Sequence, residues 1–286
     1  MMKKTIFILC LLLCAACVLQ AGAAAFEDMG IGARGRGMGG AFTAVADDVS
    51  VIYWNPSALG KVYKKEMMVF YQDLYGLGLV NYSFAGLTFP RVGNGAVGFG
   101  WTRLGTSGAV DFMNYNENTF IFSYGHPIGK ALSLGANVKY FTVMYDSKAS
   151  AIGFDVAGTY EIIKGVLKTA LVWYNSNSPQ LYWETRAIDT LPPNVRMGMA
   201  YKFTENHTLS ADTYWQKSGK MHLSAGWESY FFKKGLAVRA GVNEQDNQLN
   251  AAFGIGVGSR LVRFDYTIEK HYQLGYNSLL SLSLRL

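Results

Sequence analysis

The chain has 286 residues, which is enough for one large domain or two small ones. Half of the residues are apolar and 16% are charged, and the net charge of +6 is too small and too scattered to indicate nucleic-acid binding. Only one apolar run approaches the length of a membrane helix, which excludes a helical bundle, and the abundant Gly, Tyr and Phe favour a β-rich chain.

Residues 1–25 have the pattern of a signal peptide. Two lysines precede an apolar stretch over residues 5–19, and small residues lead to a predicted cleavage after Ala25, which leaves Phe26 first. An uncleaved anchor helix is one alternative, although no stop-transfer charges follow. A lipoprotein modified at Cys17 is another, although the usual Leu three positions upstream is missing. The only cysteines are Cys10, Cys14 and Cys17, so the cleaved chain has neither disulfides nor thiolate metal ligands.

Residues 26–62 differ from the rest because they are rich in Gly and Ala and do not alternate. Residues 41–49 are compatible with a short helix, and Asn55-Pro56 indicates a turn. Residues 35–40 formally match a G-x-G-x-x-G motif. A dinucleotide site would need a preceding strand and an acidic residue near position 60, and the sequence has neither.

From Glu66 onward, apolar residues alternate with Gly, Ser, Thr or charged residues, as in residues 132–140. This period of two predicts strands with one apolar and one polar face. The sequence predicts about 14 strands: 66–73, 78–89, 93–104, 117–125, 131–145, 149–162, 166–174, 194–203, 207–216, 219–231, 235–243, 247–257, 260–269 and 277–286.

The connections favour a membrane barrel, in which periplasmic turns are short and outer loops longer. If the chain enters from the periplasm, odd-numbered connections are external. The two longest connections, 105–116 and 175–193, are the third and seventh, whereas even-numbered ones such as 204–206 are tight. We therefore predict an all-β, transmembrane antiparallel barrel in the bacterial outer membrane, with both mature termini in the periplasm. A soluble sandwich of 14 strands would need a larger apolar core and a more charged surface.

Charged residues within the strands fall mostly on one face. Lys or Arg facing lipid at mid-depth costs about 2–4 kcal/mol, so these residues should point into the lumen. They form either a salt-bridged interior or a charge-lined transport path. The set comprises Lys139, Asp155, Glu161, Arg196, Lys202, Asp212, Glu228, Arg239, Arg263, Asp265 and Arg285.

The sequence offers little for catalysis. Its four histidines are not at metal-ligand spacing and it has no G-x-S-x-G motif, so we predict no enzyme, no metal and no cofactor. Aromatic residues of the external loops, among them Trp173, Tyr174 and Tyr182, indicate an interfacial girdle or a surface that captures hydrophobic ligands. The third strand contains four glycines that either kink it or face a crowded lumen: Gly93, Gly95, Gly98 and Gly100.

The N-terminal segment resembles the PorV/PorQ-like branch of the FadL-type outer-membrane transporter superfamily. The resemblance covers about 30 residues and rests on three motifs: residues 32–34 (GAR), residues 37–48 (GMGGAFTAVADD) and residues 53–59 (YWNPSAL). The Asn-Pro-Ala pattern of the family's hatch is Asn-Pro-Ser here, at residues 55–57.

The resemblance implies a 14-stranded barrel (63–286) closed by a periplasmic-side hatch (26–62). The hatch residues carried over are Gly39, Gly40, Asp47, Asp48, Asn55 and Pro56, and we expect the two aspartates to pair with Arg or Lys of the lumen. The family moves hydrophobic molecules such as long-chain fatty acids passively, releasing them through a gap at a kinked third strand. The chain is shorter than typical FadL transporters, so extracellular loops are reduced. The alternative function is a PorV-like accessory or scaffold in protein secretion. The implied partners are membrane lipids with hydrophobic cargo, or secretion-system components.

Overall fold

A computed structural model describes residues 25–106, 115–145, 147–216, 219, 221–245, 248–271 and 275–286. The predicted signal sequence before residue 25 and most of the third connection lie outside the described residues. No helix in the described ranges has the length and apolar character needed to cross a bilayer.

The described chain contains two short helices followed by sixteen strands. The α-helices are α1 (Ala33–Gly37) and α2 (Val51–Trp54), and 3₁₀ helices lie at Pro56–Lys61, Leu74–Gly76 and Phe232–Lys234. The strands are β1 (Glu66–Asp73), β2 (Val80–Val92), β3 (Gly95–Thr106), β4 (Asn116–Ile128), β5 (Leu132–Tyr145), β6 (Ser147–Ile163), β7 (Leu167–Tyr174), β8 (Gln180–Trp183), β9 (Ile188–Thr190), β10 (Asn194–Lys202), β11 (His207–Gln216), β12 (Met221–Phe231), β13 (Leu236–Gln245), β14 (Gln248–Gly258), β15 (Val262–His271) and β16 (Gly275–Arg285).

Fourteen of these strands form one closed antiparallel barrel, which confirms the predicted architecture. Each barrel strand pairs with its sequence neighbours, and β7 pairs with β10 across the seventh connection. Closure is completed by β1 and β16, which pair from Glu66–Arg285 to Asp73–Ser278. A closed ladder leaves no unpaired sheet edge, which is the condition for strands to lie in hydrocarbon.

The remaining strands, β8 and β9, form a hairpin inside the longest connection that the alternation did not predict. Strand β8 pairs with β6 at Ala149–Trp183 and Ser150–Tyr182, beyond the end of β7. Leu181 of this hairpin is fully buried and packs with inward-facing residues of β5 and β6 such as Phe141 and Ala151. The hairpin therefore covers part of the barrel mouth at the end that carries the long connections, which we call the loop end. The opposite end, with the tight turns, is the turn end.

Burial is inverted relative to a soluble protein. Large apolar side chains on the outside, such as Phe99, Ile152 and Phe253, are about half exposed, at 49%, 55% and 51%. Arg239 and Glu228 on the inside are 0% and 2% exposed. Because charged residues are almost never buried unless they are paired, the inside must supply partners, and the outside matches a hydrocarbon environment.

Residues 25–62, here called the inner segment, run through the barrel interior. Phe42, Ile52 and Trp54 of this segment are at most 1% exposed, and they form one cluster with inward-facing residues such as Met68 and Phe84. The predicted helix over residues 41–49 is wrong: helices form on either side of it. The reason is that the carbonyl oxygens of Ala41 and Thr43, which a helix would bond to the amides four residues on, accept instead from Ser210 Oγ of β11 and from the Asn55 side-chain amide.

Candidate functional site

The turn at Asn55 and Pro56 fastens the inner segment to the barrel. The Asn55 side-chain amide donates to the Thr43 carbonyl oxygen and to Thr159 Oγ1 of β6, both at 2.8 Å. Its Oδ1 accepts from the Ser57 amide at 3.1 Å and the Ser57 hydroxyl at 2.6 Å. Pro56 begins the 3₁₀ helix that follows, where its missing N–H is not needed. One side chain thus caps a helix, bridges two parts of the inner segment and bonds to the barrel.

Asn55→Ala should lower the free energy of unfolding by about 1–3 kcal/mol, because buried donors and acceptors lose their partners. It should also make the inner segment more sensitive to added protease. Equilibrium unfolding in detergent and mass spectrometry of the digest measure the two effects. The matched control is Asn177→Ala, because Asn177 makes two hydrogen bonds to β6 backbone from an exposed loop. Equal effects of the two substitutions would contradict the role given to Asn55.

Asp212 of β11 holds the Gly-rich part of the inner segment. Its Oδ2 accepts from the amides of Phe42 and Thr43, at 3.1 and 2.9 Å, and from Thr43 Oγ1 at 2.6 Å. Three donors to one carboxylate oxygen stabilise a buried negative charge. Asp212, which is one of the predicted lumen charges, therefore binds backbone amides of the inner segment.

A chain of ion pairs crosses from the inner segment to the barrel near the turn end. Arg34 Nε lies 2.8 Å from Glu228 Oε1, and Glu228 also pairs with Arg239 Nε at 2.7 Å. Arg239 Nη1 lies 2.7 Å from Asp265 Oδ1, which Arg263 approaches at 3.2 Å. Four of the predicted lumen charges thus belong to one buried network, and its bidentate contact to Arg34 joins the inner segment to β12.

Asp47 and Asp48 also pair with Arg34, at 2.5 and 2.9 Å from its Nη1. The expectation that both would pair with a cation of the barrel is wrong, because their cation comes from the inner segment itself. Asp48 in addition accepts from the Ser50 amide and hydroxyl. The barrel contributes the opposite charge, Glu228, so that Arg34 lies between carboxylates from both sides.

Three further ion pairs lie towards the loop end, and one of them joins Arg36 of the inner segment to Glu269 of β15. Lys139 Nζ is 2.7 Å from Asp155 Oδ1, and Arg196 Nη2 is 2.6 Å from Asp28 Oδ2. The Arg196 guanidinium is 4.8 Å from the Trp54 ring centroid and 4.6 Å from that of Tyr214. Asp28 also accepts from Tyr53 Oη, and burial together with this carboxylate raises the pKa of Tyr53 well above its usual value. Tyr53 is therefore protonated and acts as a donor.

Lys202 forms no ion pair with the residues that the structure describes. It lies half-buried at the turn end and lines an open vestibule of about 810 Å³ together with Lys168, Lys233 and Arg260. The ion pairs Lys61–Glu161 and Arg285–Glu66 lie on the same vestibule, at 3.1 Å each. The turn end is therefore a wet, charged basin, in contrast to the packed interior above it.

Gly93 is not part of the third strand: it lies in the turn before β3 with φ of +59°. Gly95, Gly98 and Gly100 are in β3 and buried. A Cβ at Gly98 or Gly100 would come within 2.6 and 2.8 Å of Ile52. These two glycines thus admit a side chain of the inner segment. Strand β3 pairs with β4 without interruption from Ala96 to Gly105, and with β2 from Ala96 to Thr106, so its wall is closed.

Other glycines of the barrel touch the backbone of the inner segment, a role that the sequence did not indicate. A Cβ at Gly135 would lie 2.3 Å from the Ser57 nitrogen, and one at Gly241 would lie 2.1 Å from the Gly39 nitrogen. Gly39 has φ of +66° and itself lies against the Val242 backbone, while Gly40 has φ of +79°. The excess of Gly on inward positions of alternating strands was the available signal, and it reflects backbone-to-wall packing.

Between the inner segment and the loop end of the barrel lies a cavity of about 80 Å³. Its lining is aromatic and polar, with Phe26, Met29 and Tyr53 from the inner segment. The barrel contributes Tyr82, Thr119, Ile121, Lys139, Phe141, Tyr174 and Tyr214, among others. Tyr174, which the sequence suggested for an external aromatic surface, instead points inward and donates to the Trp54 carbonyl oxygen at 2.7 Å. Its neighbour Trp173 is on the outer face.

The fold and the filled interior define a class: a closed all-β barrel with an apolar outer surface and a charged interior is a membrane-spanning β-barrel.

No protein-family model matches the sequence, and no curated protein does either. Three of the solved structures that share the fold illustrate the similarity. A Pseudomonas aeruginosa FadL homologue has 13% identity and a TM-score of 0.66, and the match covers 91% of this chain and 99% of that one. The Pseudomonas putida toluene transporter TodX has 11% identity and a TM-score of 0.68, covering 91% and 99%. The monoaromatic hydrocarbon channel CymD has 13% identity and a TM-score of 0.62, and the match covers 91% of this chain and 98% of that one. The fold is that of the FadL family of transporters.

Proposed function

We propose that the chain is an outer-membrane transporter that carries hydrophobic small molecules by passive diffusion. The observation that carries this proposal is a barrel with an apolar outside whose interior is filled by the inner segment beneath an aromatic-lined cavity. A filled lumen opposes the flow of water and ions. A cavity with several aromatic rings offers an apolar molecule a favourable site of the kind that small ligands occupy.

The names of the structural neighbours fit this cargo class, since TodX is a toluene transporter and CymD a monoaromatic hydrocarbon channel. The proposed cargo therefore extends from monoaromatic compounds to fatty-acid-like chains. The balance of rings and polar groups in the cavity suits an apolar molecule with a small polar end. Outer-membrane lipids are the proposed surroundings of the barrel, and the proposal includes no catalytic step, metal or cofactor.

In this proposal, residues 1–25 are a leader that is removed, residues 26–62 are the hatch, and residues 63–286 are the barrel. The turn end faces the periplasm and the loop end faces outward, so that cargo enters at the loop end. In this orientation Leu286 lies at the periplasmic end, whereas Phe26 lies inside the barrel towards the loop end, so the prediction that both mature termini lie in the periplasm does not hold for Phe26. Sideways release at β3 would require Ile52 to withdraw from Gly98 and Gly100 and the ladder beside β3 to open. We propose that the closed wall described above is the resting state of such an exit.

Membership of the PorV/PorQ-like branch, and with it an accessory role in secretion, stays a prediction from the N-terminal motif. Such a role would require a stable complex with a large secretion channel. Recovery of that channel by affinity purification of the chain from membranes, together with unchanged uptake of hydrophobic compounds on deletion, would favour it over transport.

The transport proposal is tested by filling the cavity. Thr119→Phe places a ring in the cavity from β4, whereas the control Asn118→Phe places the same ring on the outer face of the same strand. In cells that lack their own transporter, uptake of labelled toluene and of a labelled fatty acid should fall to background with Thr119→Phe and persist with Asn118→Phe. Equal uptake with and without the wild-type chain, for a panel of hydrophobic compounds, would contradict transport.

A further inference from the structure

Glu117 is a buried carboxylate of the cavity that lacks a cation. It lies on β4, is 6% exposed and accepts a hydrogen bond from the Tyr115 hydroxyl. Its Oε1 also accepts from the backbone nitrogen of Phe26 at 3.1 Å. No Lys, Arg or His in the described part of the chain forms an ion pair with it. Because an ionised carboxylate is rarely buried without a positive partner, this position calls for one.

The other charges around the same cavity already have partners. Asp155 pairs with Lys139 at 2.7 Å, and Asp28 pairs with Arg196 at 2.6 Å. The remaining titratable groups that line the cavity are Glu27, Tyr53, Tyr82, Tyr174 and Tyr214. None of these can supply a positive charge, so among the described residues the cation for Glu117 can come only from the backbone nitrogen that already touches it.

That group is the nitrogen of Phe26, whose position is well fixed. The Phe26 ring packs edge-on against Phe141 with centroids 4.9 Å apart, in the cluster that contains Leu181 of the hairpin. The Phe26 backbone has φ of +63°, a left-handed conformation that is unfavourable for a bulky residue. The angle φ is defined by the preceding carbonyl carbon, so this conflict exists only while residue 25 is attached.

We propose that removal of the leader after Ala25 makes the Phe26 nitrogen an α-ammonium group, and that Glu117 is the buried counter-ion that holds it. This inference rests on the cleaved leader of the proposed function. Hydrolysis by a leader-removing protease adds water across the Ala25–Phe26 peptide bond. The leader leaves with the Ala25 carboxylate, and the released amine of Phe26 takes up a proton. Cleavage thus supplies the missing cation and relieves the φ conflict together.

The pair has a consequence for assembly. The Phe26 nitrogen contacts Glu117 even with residue 25 attached, and the Phe26 side chain and the hairpin cover this end of the barrel. Leader removal therefore strengthens a contact that the seated inner segment already makes. Glu117 then fixes the beginning of that segment at the loop end, while Arg34 and Glu228 fix it near the turn end.

The first measurement is the mass and N-terminal sequence of the full chain, expressed with its leader and purified from membranes, which should begin at Phe26. The second is the pKa of the α-amino group, followed by NMR after reductive ¹³C-methylation. An α-amine ordinarily titrates at about 7.7–8.0. Glu117 should raise this value, and Glu117→Gln should lower the pKa relative to wild type by about 1 to 3 pH units.

The matched control is Glu27→Gln, which removes an exposed carboxylate one residue from the chain end and should leave the amine pKa unchanged within error. Glu117→Asp keeps the charge on a shorter side chain and should give an intermediate value. A first residue other than Phe26, a wild-type pKa of the α-amine within or below the ordinary range, or equal effects of Glu117→Gln and Glu27→Gln would each overturn the proposal. The pKa of the wild-type α-amino group tests the proposal even if a Glu117 variant fails to fold. None of these measurements depends on uptake, so a failure of the transport proposal can be told apart from a failure of the Glu117 proposal.

Discussion

Glu228→Gln is expected to lower the free energy of unfolding by about 3 kcal/mol, because it removes the negative charge between two buried guanidinium groups. Arg34 and Glu228 lie at the floor of the vestibule, where Glu228 is 2% and Arg239 0% exposed, so both arginines lose a short ion pair to a buried carboxylate. This loss of unfolding free energy is at the lower end of the range for breaking a buried ion pair. The reason is that Arg34 still pairs with Asp47 and Asp48, and Arg239 still pairs with Asp265. The replacement is isosteric, so it adds no cavity.

The same substitution should make the barrel leak ions, because Arg34 is the charged link between the inner segment and β12. Urea unfolding followed by tryptophan fluorescence measures stability, and planar-bilayer recordings measure conductance. Glu161→Gln is the matched control: Glu161 pairs with Lys61 at the wet turn end, where an ion pair contributes about 1 kcal/mol or less. Equal losses for the two variants would show that the Arg34–Glu228–Arg239 link does not hold the inner segment.

Gly135→Ala is expected to displace the 3₁₀ helix of the inner segment and to cost about 2–3 kcal/mol of unfolding free energy, towards the upper end for overpacking. The added methyl group would lie 2.3 Å from the Ser57 nitrogen and 2.4 Å from the Pro56 carbonyl carbon. These obstacles are backbone atoms of a segment held on its other side by Asn55, so a rotamer change cannot relieve the contact.

Gly158→Ala on the neighbouring strand β6 provides the control, because a Cβ there would meet only the Leu134 side chain at 3.5 Å and the Ser133 carbonyl oxygen at 4.0 Å. We expect Gly158→Ala to leave stability and conductance close to wild type. Thermal unfolding in detergent, combined with limited proteolysis of residues 56–61, compares the two variants. If Gly135→Ala behaves like Gly158→Ala, the inner segment is not packed against β5 as described.

The strands were determined by the sequence alone because their signal is local. Alternation of apolar and polar residues needs only adjacent positions, and it holds wherever one face meets hydrocarbon and the other meets the interior. The predicted ranges for β1 and β11 coincide with the observed ones, and the predicted count of 14 is confirmed. Strands that face lipid must also close into a barrel, because an open sheet would leave the backbone groups of its edge strands unpaired.

The path of the inner segment was decided only by tertiary structure. Its helices lie outside residues 41–49, Asp47 and Asp48 bind Arg34, and Tyr174 points inward to Trp54. The inner segment has no period of its own, and its backbone donors find partners such as Asp212 and Ser281, which are 170 and 248 residues away in sequence. A conformation fixed by such distant partners leaves no pattern in neighbouring residues, whereas a strand carries its pattern in every second side chain.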